Sequence, residues 1–436
     1  MQPGVFYLFL TALTAEIAWL GLAEIDAWGL SPHLGVLDHL FAVVGATPPL
    51  VLAWWSLRRA RLAPGAELAV LLLGALLLRG VLWFEPLEGT TDAFRYLWDG
   101  RVQAAGVNPY LYPPDAPELE TLRDEVFFPH LYRAELLTCY PPVAQAWFRL
   151  AYRLDADGFF GWKAILLLHE LLATALIWLA LRRRGLAGAQ AVIYALSPLC
   201  AVQSMVGMHL DALYAPWLAL TFLCSARRPW AAGVFVTVAT LVRPLAILAL
   251  PALMWHRPRR EAWQVLAGAG LVGALVTLPF AGAGFALLGS IPTYLADWEF
   301  NGSFYWLFKA MTGNAQIARA IGYALLVPIA ILLWRRERWS DAARSLAAFG
   351  AFYLLAPTVY PWYLVMLLVP WTFVGGIAPL LVGALVMLSD TVLLADAAGM
   401  EWRVPFAFWA VEYGGLALVL GLEGWRAWRP GRARQA

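Results

Sequence analysis

With 61% apolar and only 14% charged residues, this 436-residue chain is too apolar for a water-soluble fold. Soluble domains are nearer half apolar and a quarter charged, and the mean hydropathy of +0.66 agrees with that contrast. The net charge is only +2, and we expect no nucleic-acid partner. The three cysteines show no metal-ligand or disulfide spacing. Composition therefore predicts an all-α polytopic membrane protein with membrane lipids as partners.

Apolar stretches long enough to cross a bilayer recur along the chain, since a crossing takes about 20 mainly apolar helical residues. The first follows Met1-Gln2-Pro3 without a basic leader or a small-residue cleavage site, so we expect this helix to be retained. The predicted spans are Val5 to Leu22, Leu37 to Leu57, Leu68 to Phe84, Phe159 to Leu181, Ala189 to Val206, Leu210 to Cys224, Trp263 to Phe280, Ile317 to Trp334, Ala343 to Leu355, Tyr363 to Val374, Ile377 to Leu393 and Phe406 to Leu422.

One further apolar run, near 230–256, is interrupted by Arg243-Pro244. Proline lacks the amide of a continuous helix, so the run is either one kinked crossing or two short helices that turn back. Arg clusters at both ends favour the re-entrant form under the positive-inside rule. The whole pattern predicts about 12–14 transmembrane or re-entrant helices, with both termini cytoplasmic.

Two polar segments are predicted on the outer face of the membrane, opposite the cytoplasm. Residues 85–140 carry 10 Asp and Glu against 4 Arg, and long loops in compact proteins are usually functional. We therefore expect N-terminal transmembrane helices over 1–84, an outer catalytic loop with short helices over 85–157, and a helical bundle over 158–436. A second outer loop is predicted near 281–313.

Asp92 follows closely on the end of an apolar span. A carboxylate at the membrane face could deprotonate a hydroxyl while a lipid-borne leaving group lies in the bilayer. It could equally cap a helix that begins at Ala93, and the two roles can coexist. Asp99, seven residues on, would share a helical face with Asp92, but we expect it to pair with Arg95 or Arg101.

The next polar pair, His209 and Asp211, lies where one apolar run passes into another. Polar residues in hydrocarbon carry a desolvation cost and are often functional, so they either orient or protonate a substrate or simply end a helix. No further metal ligands are visible beside them. We expect no resident cofactor, although a dependence on a divalent metal stays open.

Arg243 is the one strong charge in the broken segment. A guanidinium suits an anionic headgroup, whereas the alternative is an arginine that reaches along the lipid interface. We favour contact with a phosphate, because the broken helix also leaves backbone amides free there.

Aromatic residues accompany prolines in Thr138-Cys139-Tyr140-Pro141-Pro142 and in Tyr360-Pro361-Trp362-Tyr363. Such residues form interfacial belts, and they also make surfaces on which sugars stack. Neither segment is informative alone.

In this order, the segments resemble the GT-C superfamily of membrane glycosyltransferases. They are most similar to the polyprenol-phosphomannose-dependent α-mannosyltransferases and glycosyltransferase family 87. The matching stretches are Asp92 to Tyr96, Gly106 to Tyr110, His209 to Leu213, Arg243 to Pro251 and Pro361 to Leu364. The chain departs from the family pattern where Arg95 replaces Ser, Leu210 replaces Asn and Arg243 replaces Lys.

The resemblance implies an inverting transfer of a hexose, with mannose as the expected sugar, from a polyprenyl-phosphate donor to a hydroxyl of a lipid-linked or glycan acceptor. Asp92 would be the general base and Arg243 would hold the donor phosphate. The implied setting is a bacterial inner membrane with the site facing the periplasm. The remaining residues expected to bind substrate are Arg95, Tyr96, Asp99, Asn108, Tyr110, Tyr140, His209, Asp211, Asn301, Tyr360, Trp362 and Tyr363.

A secondary transporter or a lipid flippase is the main alternative, because broken helices and intramembrane charges also mark transport sites. A transporter predicts pseudo-symmetry between halves and charges near the bilayer midplane. The sequence shows no such symmetry, and its polar groups gather at one face. A glycan ligase of similar architecture would concentrate its chemistry in a later loop.

Overall fold

Helices account for most of the computed structural model, which describes residues 3–21, 37–87 and 90–428. The N-terminal half contains α1 Pro3–Gly21, α2 Asp38–Arg59, α3 Pro64–Val81, α4 Asp92–Ala104, α5 Pro142–Leu154, α6 Phe160–Arg183, α7 Val192–Ala195, α8 Pro198–Met205 and α9 Ala215–Ser225. The rest contains α10 Pro229–Thr240, α11 Ala249–Met254, α12 Arg259–Thr277, α13 Ile291–Asp297, α14 Phe304–Thr312, α15 Ala315–Trp334, α16 Asp341–Leu355, α17 Leu364–Val374, α18 Ala378–Val386, α19 Val392–Ala397 and α20 Phe406–Trp428.

Short 3₁₀ helices join several of these elements. They span Pro117–Leu122, Phe128–His130, Gly188–Ala191, Leu210–Ala212, Pro244–Leu248, Leu278–Leu288, Pro361–Tyr363 and Met387–Thr391. Among the described residues no β-strand forms, and isolated bridges join Phe300 and Asn301 to Thr358. The predicted all-α class is confirmed.

Several helices begin where the sequence supplies a starting signal. Prolines open α3, α5, α8 and α10, because the first helical position needs no backbone N–H donor. The side chain of Asn314 accepts hydrogen bonds from the amides of Gln316 and Ile317 and so caps α15. Gly313, in the left-handed region, ends α14 just before it.

Eight helical segments in the described part of the chain are apolar enough, and long enough, to cross a membrane. They are Gly4–Gly21, Asp38–Arg59, Pro64–Val81, Phe160–Arg183, Arg259–Asp297, Ala315–Trp334, Ala378–Asp396 and Phe406–Glu423. Shorter apolar segments cover Leu210–Ser225, Pro229–Thr240, Pro244–Met254 and Pro361–Val374. The chain is an integral membrane protein.

A buried ion pair joins α3 to α6. Arg79 Nε lies 2.5 Å from Glu170 Oε2, and the two side chains are 0% and 1% exposed. The Ser204 hydroxyl donates to the same Glu170 oxygen at 3.0 Å, and Arg79 Nη1 donates to the Ala195 carbonyl at 2.5 Å. Charges inside membrane spans persist when they are paired in this way.

The predicted break at Arg243-Pro244 is present. Helix α10 ends at Thr240, and the 3₁₀ helix Pro244–Leu248 leads into α11. Helix α10 also packs closely on α12, because a methyl group added at Gly233 would lie 1.9 Å from the Val265 carbonyl oxygen. Small residues permit such contacts between apolar helices.

The acidic segment after α3 is folded around α4 and α5. These helices touch through Gly100, where an added methyl group would lie 2.3 Å from the Phe148 carbonyl oxygen. The Val143 and Ala144 amides at the start of α5 both donate to the Leu241 carbonyl, at 3.0 and 3.3 Å. These two hydrogen bonds connect the segment that contains Asp92 to the helix break that contains Arg243.

The region near 281–313, predicted as an outer loop, has more structure than expected. It contains most of the 3₁₀ helix Leu278–Leu288 together with α13 and α14. Ion pairs of Glu299 with Lys309 at 2.6 Å and with Arg319 at 3.0 Å hold its second half.

Candidate active site

Asp92 is the first residue of α4. The helix therefore begins one residue earlier than the capping hypothesis required, and Thr91 occupies the capping position without a side-chain cap bond. The Asp92 amide donates to Thr90 Oγ1 at 3.1 Å. The Asp92 side chain keeps 38% of its surface exposed. The carboxylate is therefore not occupied as a helix cap and is accessible to a ligand.

His209 faces Asp92 from the turn that follows α8. Its Nδ1 lies 3.8 Å from Asp92 Oδ2 and has no hydrogen-bond partner among the described residues. The preceding residue, Met208, has a φ of 50°, which is unusual for a residue with a side chain. The Trp162 indole holds this backbone by donating to the Met208 carbonyl at 2.8 Å.

Asp211 and Arg243 form a bidentate ion pair. Arg243 Nε lies 3.0 Å from Asp211 Oδ1, and Nη2 lies 2.6 Å from Oδ2. Asp211 is 2% exposed and Arg243 is 18% exposed, so the guanidinium still has surface open to a ligand. Two-point contact fixes the plane of the guanidinium.

The electrostatic surroundings of Asp92 favour a carboxyl that can exchange a proton. Burial by the surrounding protein raises the pKa of Asp92, the charge of Arg243 lowers it and that of Asp211 raises it, with a net rise. A base is most effective when its pKa lies near the working pH. Perturbed carboxyls beside a charged partner are typical of functional sites.

Tyr96 and Tyr140 line the same region from the acidic segment. Their rings meet edge to face at 5.0 Å, and Tyr96 stacks on Phe148 at 4.7 Å. Burial, and then the charge of Asp92, keep the pKa of Tyr96 well above its usual value. Its hydroxyl stays protonated and can act as a hydrogen-bond donor.

Three predicted aromatic residues complete the site from the 3₁₀ helix Pro361–Tyr363 and the residue before it. Trp362 stacks on His209 with ring centroids 3.7 Å apart, and Tyr360 stacks on Trp362 at 4.4 Å. Arg243 lies over the ring of Tyr363, 5.0 Å from its centroid. The structure thus brings these residues to the same place as His209 and Arg243.

Two predicted site residues on α4 are occupied within the protein. Asp99 pairs with Arg95 at 3.0 Å, as expected, and also accepts from Thr138 and Gln145 at 2.5 and 2.8 Å. Arg95 donates to the Leu136 carbonyl at 3.0 Å as well. The other proposed partner of Asp99, Arg101, pairs with Asp124 instead. These contacts order the acidic segment.

Three more predicted residues are similarly engaged. Asn108 accepts from the Tyr110 amide at 3.1 Å, and Tyr110 donates its hydroxyl to the Tyr140 carbonyl at 2.6 Å. Asn301 donates to both carboxylate oxygens of Glu412 at 3.0 Å. Their side chains hold loops in place around the cluster of Asp92, His209, Asp211 and Arg243.

Tyr294 also lies at the site, although the sequence did not predict it. Its hydroxyl bonds to that of Tyr363, whose ring underlies Arg243. The residue stands in an apolar stretch without a distinguishing motif, so nothing local marked it. Among the described residues, no group of three or more His, Cys, Asp and Glu side chains is placed to hold a metal ion.

Comparison with known proteins identifies the family. A family described as alpha-(1->6)-mannopyranosyltransferase, N-terminal domain, matches residues 8–259. The chain belongs to this mannosyltransferase family. The matched stretch, more than half of the chain, contains Asp92, His209, Asp211 and Arg243. The resemblance to α-mannosyltransferases is confirmed, and the protein is a glycosyltransferase.

A solved structure also aligns with the chain. It is ArnT from Cupriavidus metallidurans bound to undecaprenyl phosphate, with 18% sequence identity, 84% of this chain and 72% of that chain covered, and a TM-score of 0.45. No curated protein gives a significant sequence match.

Proposed function

We propose that this member of the mannosyltransferase family moves a hexose from a polyprenyl-phosphate donor to a hydroxyl of a lipid-linked or glycan acceptor. The family to which the chain belongs favours mannose as this hexose. The observation that carries the proposal is that the partly open carboxylate of Asp92 lies 3.8 Å from His209 Nδ1, two residues before Asp211, which binds the Arg243 guanidinium at 2.6 Å. The carboxylate of Asp92 accepts a proton and the guanidinium receives an anion. The transfer needs both.

The steps follow from these two groups. Asp92 takes the proton of the acceptor hydroxyl, and the oxygen attacks the anomeric carbon of the donor sugar. The bond from that carbon to the phosphate oxygen breaks, and the electron pair leaves with the lipid phosphate. Arg243 stabilises the departing phosphate. Attack opposite to the leaving group inverts the anomeric centre.

The role of Asp211 in this mechanism is to hold the Arg243 guanidinium in a fixed orientation. Its two hydrogen bonds fix Nε and Nη2, while the Tyr363 ring lies under the guanidinium. A preorganised cation stabilises developing charge without a reorganisation cost at the moment of reaction.

The sidedness of the site is part of the same proposal. Helices α2 and α6 both end in arginines, Arg58-Arg59 and Arg182-Arg183. Basic residues at helix ends favour the cytoplasmic side, and Asp92 follows the opposite end of α3 from these clusters. The site would then face the periplasm of a bacterial inner membrane, with both termini cytoplasmic.

The decisive test is the replacement Asp92→Asn in purified protein in nanodiscs. The assay would use a synthetic farnesyl-phosphate mannose donor and an octyl α-1,6-mannobioside acceptor. Loss of a general base lowers turnover by about 10²–10⁴-fold, while the donor remains bound because Arg243 is intact.

The matched control is Asp115→Asn, an exposed carboxyl in the same acidic segment, which should leave turnover unchanged. Wild-type turnover in Asp92→Asn would overturn the assignment of the base. Loss of a hexose from the cell's glycolipids on deletion of the protein, measured by mass spectrometry, would identify the acceptor.

A further inference from the structure

Four aromatic rings form a continuous stack that ends at His209. Phe300 stacks on Tyr360 at 4.6 Å with 17° between planes, and Tyr360 stacks on Trp362 at 4.4 Å and 4°. Trp362 then stacks on His209 at 3.7 Å and 18°. The stack runs from the region before α14 to the imidazole beside Asp92.

Both faces of the Trp362 ring are covered. Two rings that are parallel to a third, with centroids within 4.4 Å of its centroid, would overlap each other if they lay on one face. Tyr360 and His209 therefore lie on opposite faces of Trp362. A sugar that stacks on an aromatic residue needs a free ring face, and this tryptophan has none to offer.

The far end of the stack is anchored. The Phe300 amide donates to the Pro357 carbonyl at 3.0 Å, and the Phe300 carbonyl accepts from the Val359 amide at 2.8 Å. Phe300 is also buried against Val392 and Val404. The stack is thus fixed to the protein at the end remote from His209.

The His209 end is fixed by its backbone. The His209 amide donates to the Gln203 carbonyl at 2.9 Å. Gly207 leaves room for the imidazole, because a methyl group there would lie 2.8 Å from His209 Cδ2. With the backbone and one ring face held, Nδ1 is directed at Asp92, 3.8 Å away, without another hydrogen-bond partner in the described part of the chain.

We propose that Trp362 is a positioning residue that holds the His209 imidazole beside Asp92, and is not a stacking platform for sugar. The proposal rests on the proposed function of Asp92. An oxygen can lie about 2.8 Å, an ordinary hydrogen-bond distance, from both Asp92 Oδ2 and His209 Nδ1. The acceptor hydroxyl would donate its proton to Asp92, accept from Nδ1–H and attack with its remaining lone pair.

The test compares two replacements of Trp362 in the donor and acceptor assay described above. Trp362→Leu fills space without a flat ring, and we expect kcat to fall on the order of 100-fold, the effect of a misplaced catalytic group, with the acceptor KM unchanged. Trp362→Phe keeps a flat ring between Tyr360 and His209. It should restore kcat to within about tenfold of wild type, since aromatic pairs retain their stacking preference.

Gly207→Ala tests the same role without touching Trp362. The added methyl group displaces the imidazole, so kcat should fall as in Trp362→Leu, while Phe300, Tyr360 and Trp362 remain stacked on one another. Thermal melting of each variant gives a check on folding that is independent of turnover. Even if Trp362→Leu does not fold, Gly207→Ala keeps the proposal open to refutation.

Two results would overturn it. A raised acceptor KM with unchanged kcat in Trp362→Leu would show that the ring contacts sugar, and unchanged kcat in Gly207→Ala would show that the placement of His209 is unimportant. Neither result bears on Asp92 as the base, whereas full activity of Asp92→Asn would remove the proposed function itself.

Discussion

Replacing Glu170 by Gln should destabilise the protein more than replacing its partner Arg79. The Glu170→Gln side chain keeps the size of glutamate but strands the guanidinium of Arg79, which is 0% exposed and cannot lose its proton. Removing one partner of a buried ion pair costs about 3–5 kcal/mol. Arg79 also acts on a second buried acid, Glu16, so we expect the lower end, about 3 kcal/mol.

The reciprocal change, Arg79→Met, strands a carboxylate instead. A carboxylate can bind a proton and become neutral, and the Ser204 hydroxyl at 3.0 Å still satisfies one oxygen. We expect a loss of about 1–2 kcal/mol, the cost of an incompletely satisfied buried group. The double replacement Glu170→Leu with Arg79→Met should recover most of the stability, because apolar substitution of a buried pair is often neutral.

The assay is the melting temperature of the purified protein in detergent. An unfolding entropy of about 2.1 cal/mol/K per residue implies about 0.9 kcal/mol/K for a chain of this length. Glu170→Gln should then melt about 3 °C lower and Arg79→Met about 1–2 °C lower. Glu118→Gln, an exposed acid, is the control. Equal shifts for both single variants would refute the argument from the fixed charge of arginine.

Two predictions concern the site itself. Because burial raises the pKa of Asp92 and the base must be ionised, kcat/KM should fall with decreasing pH at a pH above the usual aspartate value of about 3.9; a rate that is flat down to that value would contradict this. Arg243 lowers the same pKa, so Arg243→Gln should move the acidic limb to higher pH and raise the donor KM at least about tenfold, the effect expected for a charged hydrogen bond. The double variant Arg243→Gln with Asp211→Asn should share the raised donor KM but recover thermal stability, because it no longer contains an unpaired buried carboxylate at position 211. An unchanged donor KM in the single and the double variant would argue against phosphate contact.

The sequence alone predicted the helical class and the break at Arg243-Pro244, because apolar run length and proline are local signals. It also ordered Asp92, His209, Asp211 and Arg243 through their likeness to a family. Their spatial meeting is a long-range fact that no local pattern contains. The 32-residue separation of Asp211 and Arg243 is closed by helix packing, which the spacing did not reveal.

What the sequence could not give was the use made of each side chain. Asp99 was expected to bind substrate, but its carboxylate is already engaged by Arg95, Thr138 and Gln145. Trp362 looked like a sugar-binding ring, whereas both its faces are covered. Whether a side chain is free to contact substrate depends on neighbours that are distant in sequence. Residue type alone does not indicate it.

The stretch matched by the family ends at residue 259, but two rings of the site come from later in the chain. Trp362 and Tyr363 contact His209 and Arg243 from beyond that boundary. In the proposed mechanism, the proton acceptor and the phosphate-binding guanidinium are therefore encoded separately from the rings that hold His209 and Arg243 in place. A change confined to the C-terminal portion can therefore move His209 or Arg243 without replacing either residue.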